Sequence, residues 1–117
     1  MAAIKRTAAF ERWLARLPDQ RGRAKILARF DRLLEGNPGD VRWIGAGVFE
    51  MRINFGPGYR IYYKDLHHVY VMLLGGDKAS QKRDIGKALA LADELEGYTT
   101  WSRSNRSTRR TISITRR

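Results

Sequence analysis

The chain contains no cysteine. Disulfide staples and thiolate nucleophiles are therefore excluded, and the composition suits a reducing cytoplasm. Histidine is scarce too. His67 and His68 are adjacent, with no carboxylate spaced around them like a zinc site. No structural or catalytic metal is expected, and no cofactor. No apolar run approaches the roughly 20 residues of a membrane helix. The opening segment, Met1-Ala2-Ala3-Ile4-Lys5-Arg6, lacks the apolar stretch of a secretory signal. The last shortage is negative charge. Twelve acids face 23 Lys and Arg, giving a formal net charge of +11 and a pI near 10.7. That excess predicts attraction to nucleic acid or to an acidic protein.

The 117 residues make one domain with a single modest core. Phe10, Trp13, Leu14 and Leu17 recur at helical spacing, Pro18 ends that helix, and Asp19 can cap the next. Ile26, Leu27, Phe30, Leu33 and Leu34 give the second helix its stripe, and so short a link predicts a helical hairpin. Gly36-Asn37-Pro38-Gly39-Asp40 is a dense stop signal. The period then changes to two, giving two strands around Gly56-Pro57-Gly58 and a third, about 68–74, that is apolar on both faces. Ser80 can cap a last helix carrying Ile85, Ala88, Leu89, Ala92 and Leu95, with Gly97 as its stop. Residues 98–117 hold six Arg and no acid, which predicts a disordered basic tail after a domain of residues 1–97. The fold class is α+β: a helical hairpin on a small, mainly antiparallel sheet, then a C-terminal helix.

A three-residue loop at Gly56-Pro57-Gly58 would place Asn54 opposite Arg60, Arg52 opposite Tyr62 and Glu50 opposite Lys64. Phe49, Met51, Ile53, Ile61 and Tyr63 would then face the helices. Glu50, Arg52, Asn54, Arg60, Tyr62 and Lys64 would share the opposite, open face, joined by His68 and Tyr70. A two-residue loop would mix the faces. Cations interleaved with flat rings suit single-stranded RNA, since the charges meet phosphates and the rings meet bases. Lys78, just past the third strand, adds another cation. Trp13, Phe10 and Phe30 are expected in the core. Gly75-Gly76 lacks the spacing of a phosphate loop.

Five segments in order resemble the RelE/ParE superfamily of bacterial toxins, and within it the HigB-like addiction module killer proteins. They are Phe10-Glu11-Arg12-Trp13-Leu14, Gly36-Asn37-Pro38-Gly39-Asp40, Gly47-Val48-Phe49-Glu50-Met51-Arg52-Ile53, Gly56-Pro57-Gly58-Tyr59-Arg60-Ile61-Tyr62-Tyr63 and Gly75-Gly76-Asp77-Lys78-Ala79-Ser80-Gln81. The resemblance implies a RelE-like fold and a ribonuclease that cuts mRNA on the ribosome and is silenced by a cognate antitoxin. It assigns Arg60 to the scissile phosphate and makes Lys78 and Arg52 its catalytic companions. Where RelE offers a tyrosine early in the last helix, this chain has Asp84.

Such cleavage needs no metal. A base takes the 2′-OH proton, cations neutralise the phosphorane, and an acid protonates the leaving 5′-oxygen. The fork of Arg60 suits two non-bridging oxygens, Lys78 suits the same charge or the acid, and Glu50 or a perturbed Lys is a candidate base. The same scaffold also hosts a ParE-like inhibitor of DNA gyrase with no catalytic residues of its own, so fold alone does not choose between them.

Overall fold

The computed structural model of the chain describes residues 2–104 and 114–116, with side chains described as far as Leu95. Strand β1 (Ala3–Thr7) leads into helices α1 (Ala8–Arg16) and α2 (Gln20–Leu34). Strands β2 (Val41–Gly45), β3 (Val48–Ile53), β4 (Tyr59–Asp65) and β5 (Val69–Asp77) follow, then a 3-10 turn at Lys78–Ser80, α3 (Gln81–Ser104) and β6 (Ile114–Arg116). The sheet order is β2-β3-β4-β5-β1-β6. Its pairs are antiparallel except β1 with β5.

Local chemistry explains the first junctions. The Thr7 side chain accepts from Phe10 N at 3.1 Å and donates to Leu73 O at 2.8 Å, so one hydroxyl caps α1 and ties it to β5. Asp19 caps α2 through Gly22 N at 2.9 Å, and its other oxygen accepts from the Tyr59 hydroxyl at 2.7 Å. This joins α2 to the start of β4. The helices touch through Phe10 and Phe30, whose ring centroids lie 5.8 Å apart. Their backbones pack chiefly on the sheet, α1 on β5 and β1 and α2 on β1, rather than zipping into the expected hairpin.

The sheet is covered on both faces. One core joins α1 and α2 to Met51, Ile53, Ile61, Tyr63 and Met72. The other sets Ala88, Ala92 and Leu95 of α3 against Val48, Tyr62, Val71 and Leu73. The open polar face expected from the sequence is thus closed over much of its area. The cause is β5, which is apolar on both sides and must bury both.

The hairpin register also differs. Arg52 faces Arg60, Glu50 faces Tyr62, and Val48 faces Lys64. The loop is therefore Asn54–Gly58, two residues longer than expected, closed by Phe55 N to Ile53 O and Gly58 N to Phe55 O. A slip of two preserves which face each side chain takes. Phe49, Met51, Ile53, Ile61 and Tyr63 accordingly lie on the α1–α2 side. Beyond β5 the helix passes through Gly97 instead of stopping there, and Ile114–Arg116 adds a strand beside β1. The remainder of the expected basic tail, residues 105–113 and 117, lies outside the described residues.

Two predictions follow from these contacts. A methyl group at Gly75 would overlap the Trp13 ring, so Gly75→Ala should cost about 1–3 kcal/mol in denaturant unfolding, the usual range for an overpacked core. Burial first, and then the hydrogen bond to Asp19, push the Tyr59 hydroxyl up to about 12. The fold therefore favours the neutral phenol, and its stabilisation is complete below about pH 10 and lost as pH rises through the raised value. The thermal unfolding temperature should fall across that window, and Tyr59→Phe should flatten the slope there.

Candidate nucleic-acid interface

At the hairpin end of the sheet, Arg52 stands opposite Arg60, and Arg60 stands opposite Gly76 of β5. Lys78 follows β5 in the 3-10 turn. Asn54, Arg52, Arg60 and Lys78 line a hollow of about 390 Å³, with Gly56, Pro57 and Gly58 as one wall and Asp40 at its border. A second hollow, about 550 Å³, shares Arg52 and Arg60 and adds Arg42, Gln81, Lys82 and Ile85. The two arginines line both. Gly58 adopts φ +80°, and a side chain there would meet the Lys78 Cβ at 3.4 Å. Glycine thus permits the turn and lets Lys78 approach it.

These cations differ in what already holds them. Arg52 donates to Asp40 Oδ1 from Nη2 at 2.7 Å and from Nε at 3.2 Å. That carboxylate raises the guanidinium pKa above its ordinary value. Arg29 fastens the frame, donating to Arg52 O at 2.6 Å, Pro38 O at 3.0 Å and Asp40 O at 3.2 Å. Its own pKa is drawn down, first by burial and then by Arg32. Arg42 pairs with Glu50 at 3.3 Å. The side chains of Arg60 and Lys78 make no hydrogen bond or ion pair among the described residues, and the Arg60 Nε is buried without a partner.

Of the residues expected to bind RNA, Asn54 joins Arg52, Arg60 and Lys78 at the hollow. The others do not. Glu50 and Tyr62 are both 0 % exposed, beneath the N-terminal part of α3. Glu50 accepts from Tyr62 Oη at 3.1 Å and Gln81 Nε2 at 2.8 Å, besides Arg42, so it is a structural anchor and not an accessible base. Burial, and then the Glu50 charge, push the Tyr62 phenol far up. Lys64 is buried further along β4, where its ammonium donates to Ala46 O. Tyr70 lies on the opposite side of the sheet, edge-on to Tyr63 at 5.9 Å. His68 sits exposed in the β4–β5 turn with φ +60°, at the other end of β4 from Arg60. His67, beside it, is exposed too.

Sequence reasoning missed Asp40, Arg42, Gln81 and Lys82. In the sequence Asp40 is only the last residue of a stop signal. The five residues of β2 alternate too briefly to declare a strand, which left Arg42 without a face. Among the described residues no cluster of His, Asp or Glu could hold a metal ion, and no helix is long and apolar enough to cross a membrane.

Residues 12–95 match the family described as phage derived protein Gp49-like (DUF891), which spans the whole hollow. The chain belongs to this Gp49-like family. A protein of Haemophilus influenzae, described only as uncharacterized, is 50% identical over 93 residues, covering 79% of this chain and 94% of the relative. No solved structure matches. The family found is the Gp49-like one; the RelE/ParE resemblance rests on the motifs alone.

The Glu50 network in this Gp49-like chain has a measurable consequence. Glu50→Ala would strip Tyr62 and Gln81 of a shared buried acceptor. Each orphaned group costs about 1–3 kcal/mol. The chemical-denaturation midpoint should fall accordingly, whereas Asn54→Ala, at an exposed turn, should change stability by no more than about 0.5 kcal/mol.

Proposed function

We propose that this protein is the toxin of a type II toxin–antitoxin system: a metal-independent mRNA endoribonuclease of the cytoplasm, acting on ribosome-bound mRNA and neutralised by a cognate antitoxin. Membership of the Gp49-like family, which is toxin-like and of addiction-module type, supports the toxin reading. One observation carries the nuclease reading. Two cations without protein partners, Arg60 and Lys78, line the same hollow as a third that is already fixed.

The chemistry follows from that inequality. Arg60 has an unused guanidinium edge and can meet two phosphate oxygens as charge builds on the phosphorane. Its buried Nε has no protein acceptor, and a phosphate oxygen bonded there would satisfy it. Arg52, held by Asp40, supplies a pre-set positive field, and Asn54 can bond a neighbouring phosphate or base edge. Lys78, exposed and lining the same hollow, would protonate the leaving 5′-oxygen. Asp84 takes no part. It is buried, accepts from Ser80 Oγ and packs against Gly76. The antitoxin would cover this basic surface with an acidic or amphipathic segment.

Arg60→Ala and Lys78→Ala should each abolish growth arrest while leaving the fold intact. Loss of one contact to the transition state costs about 3 kcal/mol, roughly a hundredfold in rate. Arg60→Lys should rescue poorly, because it keeps the charge and loses the fork. EDTA should leave cleavage unchanged. Mapping of mRNA 5′ ends after induction should show new ends within minutes. Intact mRNA with accumulating gyrase–DNA cleavage complexes, or full toxicity from a folded Arg60→Ala, Lys78→Ala double variant, would replace this reading with the gyrase inhibitor.

A further inference from the structure

Cleavage by the 2′-OH needs a proton acceptor, and the structure removes the carboxylates one by one. Glu50 is buried and triply bonded. Asp84 is buried against Gly76. Asp77 is spent on the capping box with Ser80, and Asp19 on Gly22 and Tyr59. Asp40 is the carboxylate that lines the hollow holding Arg60 and Lys78.

Asp40 is both fixed and open. Its backbone carbonyl accepts from Arg52 N at 2.9 Å and from Arg29 Nη2 at 3.2 Å, so the residue is tied to the end of β3 and to α2. Its Oδ1 takes both bonds from Arg52. Its Oδ2 accepts none from the described residues, and the side chain is 55% exposed. One carboxylate oxygen therefore aims the group, and the other is available to a ligand in the hollow.

We infer that Asp40 is the general base of this site, taking the 2′-OH proton of the nucleotide whose phosphate Arg60 holds. The inference rests on the nuclease reading above and names its missing acceptor. The O2′–H bond breaks and its proton passes to Oδ2 of Asp40. O2′ bonds to phosphorus, the P–O5′ bond breaks, and O5′ takes a proton from the Lys78 ammonium. The products are a 2′,3′-cyclic phosphate and a 5′-hydroxyl, with no co-reactant consumed. Arg52 orients Asp40 and stands opposite Arg60 in the sheet, so one residue neighbours both the base and the phosphate-binding cation.

The test uses the full-length protein and a short RNA under single-turnover conditions, with a 2′-deoxy oligonucleotide of the same sequence as the binding probe. Asp40→Asn keeps size and an acceptor for Arg52 but cannot take the proton. Cleavage should fall by roughly 10²–10⁴-fold, the usual worth of a general base. Binding of the deoxy probe should hold or tighten, since a negative charge has been removed from an anion site. The acidic limb of the wild-type pH–rate profile should vanish in Asp40→Asn and persist in Arg52→Ala. If Asp40 only positioned Arg52, the two variants would lose equal activity, the double variant would lose no more, and both would keep the limb; that pattern overturns the inference. Cleavage by Asp40→Asn within threefold of wild type also overturns it and leaves the nuclease reading standing. A wild-type protein that yields no cyclic phosphate from any RNA or ribosome-bound mRNA overturns the nuclease reading itself.

Discussion

Two arginines face each other across adjacent strands, Arg52 on β3 and Arg60 on β4. Like charges directly opposite destabilise a sheet, and the surrounding structure answers the repulsion on one side only. Asp40 takes Arg52, and Arg29 holds the Asp40 segment by its backbone carbonyls. Arg60 receives no such partner, and its Nε is buried without an acceptor. In the proposed reading, this imbalance leaves Arg60 to meet the anion of a ligand. A phosphate supplies the charge and the acceptors together.

The rest of the molecule fixes this imbalance in place. Because β5 is apolar on both sides, helices must cover both faces of the sheet, and the hairpin end keeps two hollows beside Arg52 and Arg60. Glu50 shows how tightly α3 is tied down: one buried carboxylate joins Arg42 of β2, Tyr62 of β4 and Gln81 at the start of α3. Asp19 and Tyr59 fasten the other helical layer beside the same turn. The β3–β4 turn therefore sits between two pinned layers, a rigid mounting suited to a group that must be placed within a fraction of an ångström.

Much of this was legible in the chain. Period-two alternation assigned every residue of the hairpin to its correct side, and the turn glycines marked its position. Loop length was not legible, because a slip of two leaves every face unchanged and the pattern does not register it. Hence Arg52 was set opposite Tyr62 instead of Arg60, and the like-charge pair was missed. Glu50, Tyr62 and Lys64 looked like an open binding face because the docking of α3 is a tertiary event. Its signal was present in the doubly apolar strand about 68–74, which demands a second cover. Asp40 was hidden for a different reason: a turn residue carries no periodicity, and its pairing with Arg52 depends on β2, a strand too short to read.

The central claim is that Arg60 is the uncompensated cation and Arg52 the compensated one. The most direct measurement is the ¹⁵N–¹H resonance of each Arg Nε during titration with a non-cleavable 2′-deoxy oligonucleotide. The account predicts that the Arg60 Nε–H shifts strongly and gains protection from exchange, while the Arg52 signal, already bonded to Asp40, changes little. Oligonucleotide binding that leaves Arg60 Nε–H unmoved would contradict it.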